Sequence, residues 1–139
     1  MKRVLFDTNV VLDVLLDRQP YVEASASAWA AVETGASEGM LAAHALTTVY
    51  YLVRKERGDL KARRIVSAIM RVFRVAAVDE AVVQEALRLG FSDFEDAVTA
   101  AAARLAGCEC IVTRDPNGFR GSQIRALTPE GVTPLLDKE

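Results

Sequence analysis

The 139-residue sequence predicts an α/β domain with a mostly parallel sheet. Short apolar segments of strand length alternate with longer amphipathic or alanine-rich segments of helical length, which is the pattern of parallel strands joined by helices. No linker-like composition and no internal repeat interrupts this alternation, so residues 1–139 are expected to form a single domain. The first apolar segment, residues 4–6, runs directly into Asp7, Thr8 and Asn9, so polar side chains are expected where this strand ends.

The N-terminal half is expected to hold three strands and four helices. Pro20 ends the first helix, because the residue before a proline resists helical conformation, and Gly35 is a helix C-terminal signal. Ile65, Ile69 and Phe73 recur at helical spacing in the fourth helix. Strands are predicted at residues 4–6, 39–43 and 74–78, and helices at residues 10–16, 21–34, 45–56 and 60–73.

The C-terminal half repeats this alternation. A helix is expected from Asp79 to Gly90, and a second begins at a capping box, Ser92 to Glu95, and ends near Gly107. Residues 108–113 and 124–127 are predicted strands, and residues 114–118 form a turn.

The cysteines Cys108 and Cys110 stand two positions apart in a predicted strand, so their side chains are expected on one face. His44 is the one histidine of the chain and no further cysteine is present, which disfavours a zinc site and predicts two buried thiols. His44 lies between alanines and is expected to be structural, which also disfavours a catalytic Ser–His–Asp triad.

Three acids are placed at the edges of predicted elements. Asp7 follows the first strand, Asp96 lies in the first turn of a helix, and Asp115 follows the strand that ends at Thr113. Strand C-termini and helix N-termini share one rim of such a sheet, so the three carboxylates can meet there. Mutual repulsion makes such a cluster costly, and hard divalent cations such as Mg²⁺ or Mn²⁺ relieve it. Taken singly, each acid is also explained as a helix cap, a dipole partner or a turn residue.

The order and spacing of these motifs resemble the PIN-domain family of metal-dependent ribonucleases, which includes VapC-like toxins of bacterial toxin–antitoxin pairs. The resemblance covers nearly the whole chain and rests on residues 6–9, 93–97 and 111–115, with Phe119 shortly after. It implies a three-layer α/β/α sandwich with an acidic Mg²⁺ or Mn²⁺ site at its rim. The implied metal ligands and catalytic residues are Asp7, Asp96 and Asp115, and the implied supporting residues are Asn9, Asp93 and Thr113.

The chain departs from the family near the start of the helix after the second strand. Many members carry a glutamate there, whereas this chain has no acid from Ala45 up to Glu56. Thr47 or Thr48 could supply a hydroxyl in its place. Asp13 could share the face of Asn9, although an exposed helix residue is the simpler interpretation. The missing acid leaves open a weak or inactive PIN-like domain that binds RNA or a protein partner without cutting.

Other acid-based activities fit the sequence less well. Haloacid-dehalogenase-type phosphatases need a second aspartate where this chain has Asn9, and response-regulator receivers need a lysine where it has Arg114. No G-x-x-x-x-G-K phosphate-binding loop occurs, which disfavours nucleotide hydrolysis.

Basic residues concentrate in one segment of an otherwise acidic chain. Residues 54–74 carry a net charge of +6 and the remainder carries −8. This asymmetry suits either a solvated helix surface or a phosphate-binding face, beside which Tyr50 and Tyr51 would stack on bases. At least one of the two tyrosines is instead expected to be a core or dimer-interface residue. The candidate RNA-binding residues are Arg54, Lys55, Arg63, Arg64 and Arg114.

The sequence contains no apolar run that approaches the roughly 20 residues of a membrane span, and its N-terminus does not have the pattern of a signal peptide. A cytoplasmic protein is therefore expected. The family resemblance further implies a homodimer and a small antitoxin partner, with RNA as the substrate.

Overall fold

Five parallel strands form the centre of the molecule, for which a computed structural model describes residues 2–136. Their order is β3-β2-β1-β4-β5, so the apolar first strand lies in the middle of the sheet, and every neighbouring pair is parallel. The strands are β1 (Lys2–Phe6), β2 (Ser37–Ala42), β3 (Arg74–Ala76), β4 (Cys110–Val112) and β5 (Arg125–Leu127). The expected parallel α/β fold is confirmed.

Helices cover both faces of the sheet. They are α1 (Thr8–Leu15), α2 (Val22–Glu33), α3 (Ala43–Arg57), α4 (Asp59–Val72), α5 (Glu80–Leu89), α6 (Phe94–Leu105) and α7 (Pro129–Leu136), with a 3₁₀-helix at Pro116–Phe119. Helices α1 to α4 and α7 pack on one face with Val4 and Phe6, and α5 and α6 pack on the other with Leu5. This alternation along β1 gives the three-layer α/β/α sandwich that the family resemblance implies.

The alanines of α6 bring this helix close to the sheet. Residues 97–103 are all buried, and five of these seven are alanine, so little side-chain volume separates the helix from Leu5 and Ile111. The N-terminus of α6 is thereby held at the edge of the sheet where β1 and β4 end. In the part of the chain that the structure describes, no helix is long and apolar enough to cross a membrane.

Two local expectations are wrong. Helix α6 begins one residue later than the capping box predicts, because the Asp93 carboxylate, not Ser92, accepts a hydrogen bond from the Asp96 amide at 3.1 Å. Helix α7 was not predicted from the sequence, and it contains Gly131 and Pro134, two residue types that disfavour helix. It forms because it buries Val132 and Leu136 in the core, and tertiary packing overrides local propensity.

The two cysteines do not share a face. Strand β4 begins at Cys110, so the alternation of a strand does not extend back to Cys108. Cys110 packs with the layer of Phe6, whereas Cys108 packs with the layer of Leu5, where its thiol lies 3.7 Å from the Met40 sulfur. Both are buried and neither is in a disulfide, as expected, and burial raises the pKa of Cys108 to about 12.

Candidate active site

Asp7 is both a helix cap and a member of an acidic cluster. It follows β1 directly and caps α1, where its Oδ1 accepts a hydrogen bond from the Thr8 amide at 2.9 Å. Its Oδ2 accepts one from the Thr113 hydroxyl at 2.8 Å. The residue is only 9% exposed, and burial raises the pKa of its carboxyl more than these two hydrogen bonds lower it. Asp7 is therefore held in one orientation in a poorly hydrated place.

Thr113 connects two of the three predicted acids. While its hydroxyl donates to Asp7, the same oxygen accepts a hydrogen bond from the Asp115 amide at 3.1 Å. Thr113 is fully buried at the end of β4, so this link between β1 and the segment after β4 is shielded from water. A hydroxyl that donates once and accepts once can make both contacts, whereas a methyl group in its place could make neither.

The first turn of α6 adds a second set of carboxylates. Asp93 caps the helix and Asp96 lies one turn further on, half-buried. The pKa of Asp96 is raised to about 6, first by burial and then by the negative charges of four neighbouring carboxylates. These are Asp93, Asp7, Glu95 and Asp115, in decreasing order of effect. The rim therefore brings together Asp7, Asp96 and Asp115, as the topology predicts.

Gly118 allows two of these carboxylates to approach each other. A β-carbon at this position would lie 2.9 Å from Asp96 Oδ2 and 3.3 Å from Asp115 Oδ2. Both oxygens therefore face the same point of the backbone of the 3₁₀-helix. A larger residue would push Asp96 aside, so the absence of a side chain at residue 118 helps to shape the cluster.

The chemistry of this cluster fits a hard divalent cation. Its donors are carboxylate oxygens, and burial together with their mutual repulsion raises the pKa of Asp96. The buried Oδ1 of Asn9, two residues after Asp7, has no hydrogen-bond partner among the described residues. Within residues 2–136, no group of three or more His, Cys, Asp or Glu side chains is arranged to hold a metal ion as it stands. A cation would therefore have to draw the side chains closer together.

His44 and Glu95 lie at this rim, although the sequence interpretation gave neither a role there. His44 is the second residue of α3, which follows β2 without a linker, and its Nε2 lies 3.4 Å from the Thr99 hydroxyl of α6. Burial lowers the pKa of His44, while Glu95 and Asp7 raise it. Thr48, the candidate replacement for the missing glutamate, is one helical turn further along α3 and shares the face of His44. The immediate transition from β2 to α3 is the signal that could have placed His44 here.

Asp13 and Arg114 are not part of the acidic cluster. Asp13 is fully buried, so the expectation of an exposed helix residue is wrong. Its Oδ2 lies 2.9 Å from Nε of Arg114, and the Arg114 guanidinium lies 4.1 Å from the centre of the Tyr21 ring. Arg114, a candidate RNA contact, is thus engaged inside the protein.

The other candidate RNA contacts lie on the α3–α4 hairpin. Arg54 and Lys55 are exposed near the end of α3, and Arg63 and Arg64 are exposed on α4. Tyr50 packs against the core and Tyr51 is 66% exposed, which agrees with the expectation that at least one of the two tyrosines has a structural role.

A parallel α/β sandwich with a carboxylate cluster where its strands end defines the class of open α/β proteins whose site lies at the C-terminal ends of the strands. The chain matches the model of the PIN domain over residues 3–117, and it belongs to that family.

The chain is similar to ribonuclease VapC1 of Aquifex aeolicus, with 25% identity over 134 residues that cover 93% of this chain and 92% of the relative. Its fold is similar to that of a toxin–antitoxin complex from Klebsiella pneumoniae, with a TM-score of 0.68, 22% identity, and coverage of 91% of this chain and 97% of the other. It is also similar to VapC20 of Mycobacterium tuberculosis, a sarcin–ricin-loop-cleaving toxin, with a TM-score of 0.63, 20% identity, and coverage of 78% and 86%.

Proposed function

We propose that this protein is a metal-dependent endoribonuclease that hydrolyses RNA phosphodiester bonds, and that it is the toxin of a type II toxin–antitoxin pair. The observation that carries this proposal is the convergence of Asp7, Asp96 and Asp115 at the end of a PIN-domain sheet, with Thr113 joining two of them. The similarity to a VapC ribonuclease supports RNA as the substrate, and the similarity to a toxin–antitoxin complex supports a small antitoxin partner.

In this proposal each acid has a defined role. Asp7, Asp96 and Asp115 hold Mg²⁺ or Mn²⁺, which when bound lowers the pKa of water and offsets charge on the phosphate. Thr113 orients Asp7 and the Asp115 backbone, and Asp93 holds the first turn of α6 that carries Asp96. Asn9 offers its buried Oδ1 as a further oxygen donor, and the Thr48 hydroxyl is the candidate replacement for the glutamate that many members of the family carry near the start of this helix.

RNA binding is assigned to exposed cations outside the acidic rim. Arg54, Lys55, Arg63 and Arg64 lie on the α3–α4 hairpin, where phosphates can meet them without crossing the carboxylates. The protein acts as a homodimer that the antitoxin blocks.

The test is an RNA cleavage assay on wild type and Asp7→Asn with Mg²⁺, with Mn²⁺ and with chelator. Asparagine caps a helix as well as aspartate does but has no charge for a cation. We expect cleavage by the wild type with either metal, none with chelator, and a loss of at least about 100-fold in Asp7→Asn. Asp79→Asn is the matched control, since Asp79 also caps a helix, α5, where its Oδ1 accepts a hydrogen bond from the Val82 amide at 3.1 Å, but it lies outside the acidic cluster.

Two outcomes would contradict the proposal. Cleavage by pure Asp7→Asn at the wild-type rate would remove Asp7 from the mechanism. A wild type that binds RNA but does not cleave it with either metal would leave the alternative, a PIN-like domain that binds RNA without catalysis.

A further inference from the structure

The carboxylate of Asp13 is fully buried, in an environment where a negative charge is energetically unfavourable. It lies in α1 with no exposed surface, and neither carboxylate oxygen has a hydrogen-bond partner within residues 2–136. Its neighbours are two arginines, Arg114 with Nε 2.9 Å from Oδ2 and Arg18 with Nη1 3.9 Å from Oδ1. The closer contact is therefore an ion pair without hydrogen-bond alignment, and Asp13 depends on arginine charge for its compensation.

Arg114 is enclosed from a second side. Its guanidinium lies over the Tyr21 ring at 4.1 Å from the ring centre, within cation–π distance, and its side chain is 28% exposed. Asp13 therefore contacts the Nε of Arg114, and Tyr21 covers one face of its guanidinium plane. These contacts give Arg114 a role within the protein that does not require RNA.

The backbone neighbours of Arg114 suggest what the pair does. Thr113 precedes it and bonds to Asp7, and Asp115 follows it as a proposed metal ligand. Helix α1 thus holds the segment 113–115 at two points, through Asp7 at its N-terminus and through Asp13 one and a half turns later. Asp115 is exposed, and these flanking contacts act on its backbone together with the hydrogen bond that its carbonyl accepts from the Gly118 amide at 3.1 Å.

We propose that Asp13 and Arg114 form a buried positioning pair that sets the place of Asp115 for metal binding. This inference rests on the proposed function, since it takes Asp115 as a metal ligand. Neither residue of the pair contacts the metal or the RNA. Tyr21 covers one face of the Arg114 guanidinium.

The test replaces both members of the pair with apolar residues. Asp13→Leu alone leaves Arg114 without its closest acidic partner and is expected to lower the Tm. The double variant Asp13→Leu/Arg114→Met leaves no charge of the pair behind, and such replacements are often neutral for stability. We expect it to keep the wild-type Tm but to bind Mn²⁺ about 10- to 100-fold more weakly in calorimetric titration, the usual cost of removing a residue that orients a metal ligand.

Kinetics separates positioning from RNA binding. A positioning pair predicts that kcat falls at subsaturating Mn²⁺ while the KM for RNA stays the same, whereas a lost phosphate contact would raise KM. The matched control is Glu85→Leu/Arg88→Met, which removes an acid–arginine pair with a 2.9 Å contact on α5, away from the acidic cluster. It is expected to change neither Mn²⁺ affinity nor kcat.

The results distinguish this inference from the proposed function. If the wild type binds Mn²⁺ but cleaves no RNA, and the double variant loses Mn²⁺ binding, the positioning role of the pair is supported and the proposed ribonuclease activity is overturned. A double variant that stays folded and binds Mn²⁺ as tightly as the wild type overturns the pair, whether or not the wild type cleaves. A wild type with no affinity for Mn²⁺ overturns both.

Discussion

Two buried aspartates, Asp7 at the N-cap of helix α1 and Asp13 within the helix, have opposite surroundings. Asp7 is 9% exposed and Asp13 is 0% exposed, and burial is the main cause that raises the pKa of both. Asp13 faces Arg114 and Arg18, so its counter-charge is supplied by the protein. Asp7 has hydrogen bonds from Thr113 and Thr8, but its carboxylate neighbours carry charge of the same sign.

Burial therefore does not distinguish a structural acid from one that is available for a ligand. The two kinds of acid are distinguished by the source of the positive charge that compensates them. The charge of a buried acid beside an arginine is compensated by the protein itself, whereas the charge of a buried acid among other acids is not, so such an acid favours binding of an external cation.

Stability should separate the two aspartates most clearly. Asp13→Ala leaves Arg114 without its closest acid, and breaking such a buried pair costs about 3 kcal/mol, the lower end of the usual range because Arg114 is partly exposed. Asp7→Asn keeps an acceptor for the Thr8 amide but replaces the acceptor of the Thr113 hydroxyl by an NH2 group, and the loss of one such hydrogen bond is expected to cost about 1 kcal/mol. Urea unfolding of both variants in chelator measures the difference. A smaller loss in Asp13→Ala than in Asp7→Asn would contradict the comparison.

The sequence predicted the elements whose signals are local. The apolar run of β1, the glycine that ends α5 at Gly90 and the alanines of α6 each depend on neighbouring residues, and the structure contains all of them. Helix α7 was missed because its stability comes from burying Val132 and Leu136 against distant parts of the chain. The parallel α/β topology that these local signals predict was sufficient to predict that Asp7, Asp96 and Asp115 lie at one rim of the sheet.

The remainder of the site depends on contacts that spacing does not encode. Asp13 pairs with Arg114, about a hundred positions away, and no local pattern links the two. His44 meets Thr99 across 55 positions. Each residue taken alone had a simpler explanation, an exposed helix acid for Asp13 and a phosphate contact for Arg114. Only the packing of α1 against the segment after β4 shows that they belong together.

The pH dependence of stability sharpens the same comparison within the acidic cluster. The pKa of Asp96 is raised from 3.8 to about 6, so its contribution to stability is fully present below pH 3.8 and is lost as the pH rises through 6. In chelator at pH 7.5, Asp96→Asn removes a half-buried negative charge and its repulsion by the neighbouring carboxylates. The Tm should therefore rise by about 3 °C, a modest gain because solvent screens a partly exposed carboxylate. The gain should shrink toward pH 4.5.

The control for this effect is Asp79→Asn, which removes an aspartate outside the cluster. Thermal unfolding of the three proteins at both pH values tests the prediction. An Asp96→Asn variant that is no more stable than wild type at pH 7.5 in chelator would show that the carboxylates do not repel one another.

The smallest expected effect extends the comparison from acids to arginines. Arg114 is neutralised inside the protein by Asp13, whereas no carboxylate in residues 2–136 lies within ion-pair distance of Arg64. Arg64 is exposed beside Arg63 and Arg71, so it is the arginine that a phosphate can reach. Each phosphate contact to single-stranded RNA contributes about 0.7 to the slope of log affinity against log salt.

Arg64→Gln should therefore lower that slope by about 0.7, whereas the double variant Asp13→Leu/Arg114→Met should leave it unchanged. Fluorescence anisotropy with labelled RNA measures both, in an Asp7→Asn background so that the RNA stays intact. Arg88→Gln, a charge loss on α5 outside the basic segment, is the control. If Arg64→Gln left the slope unchanged, the α3–α4 hairpin would not be the RNA-binding face. If the double variant lowered it, the Arg114 guanidinium would reach a phosphate despite its contacts with Asp13 and Tyr21, and the availability of a charge could not be inferred from its internal partners.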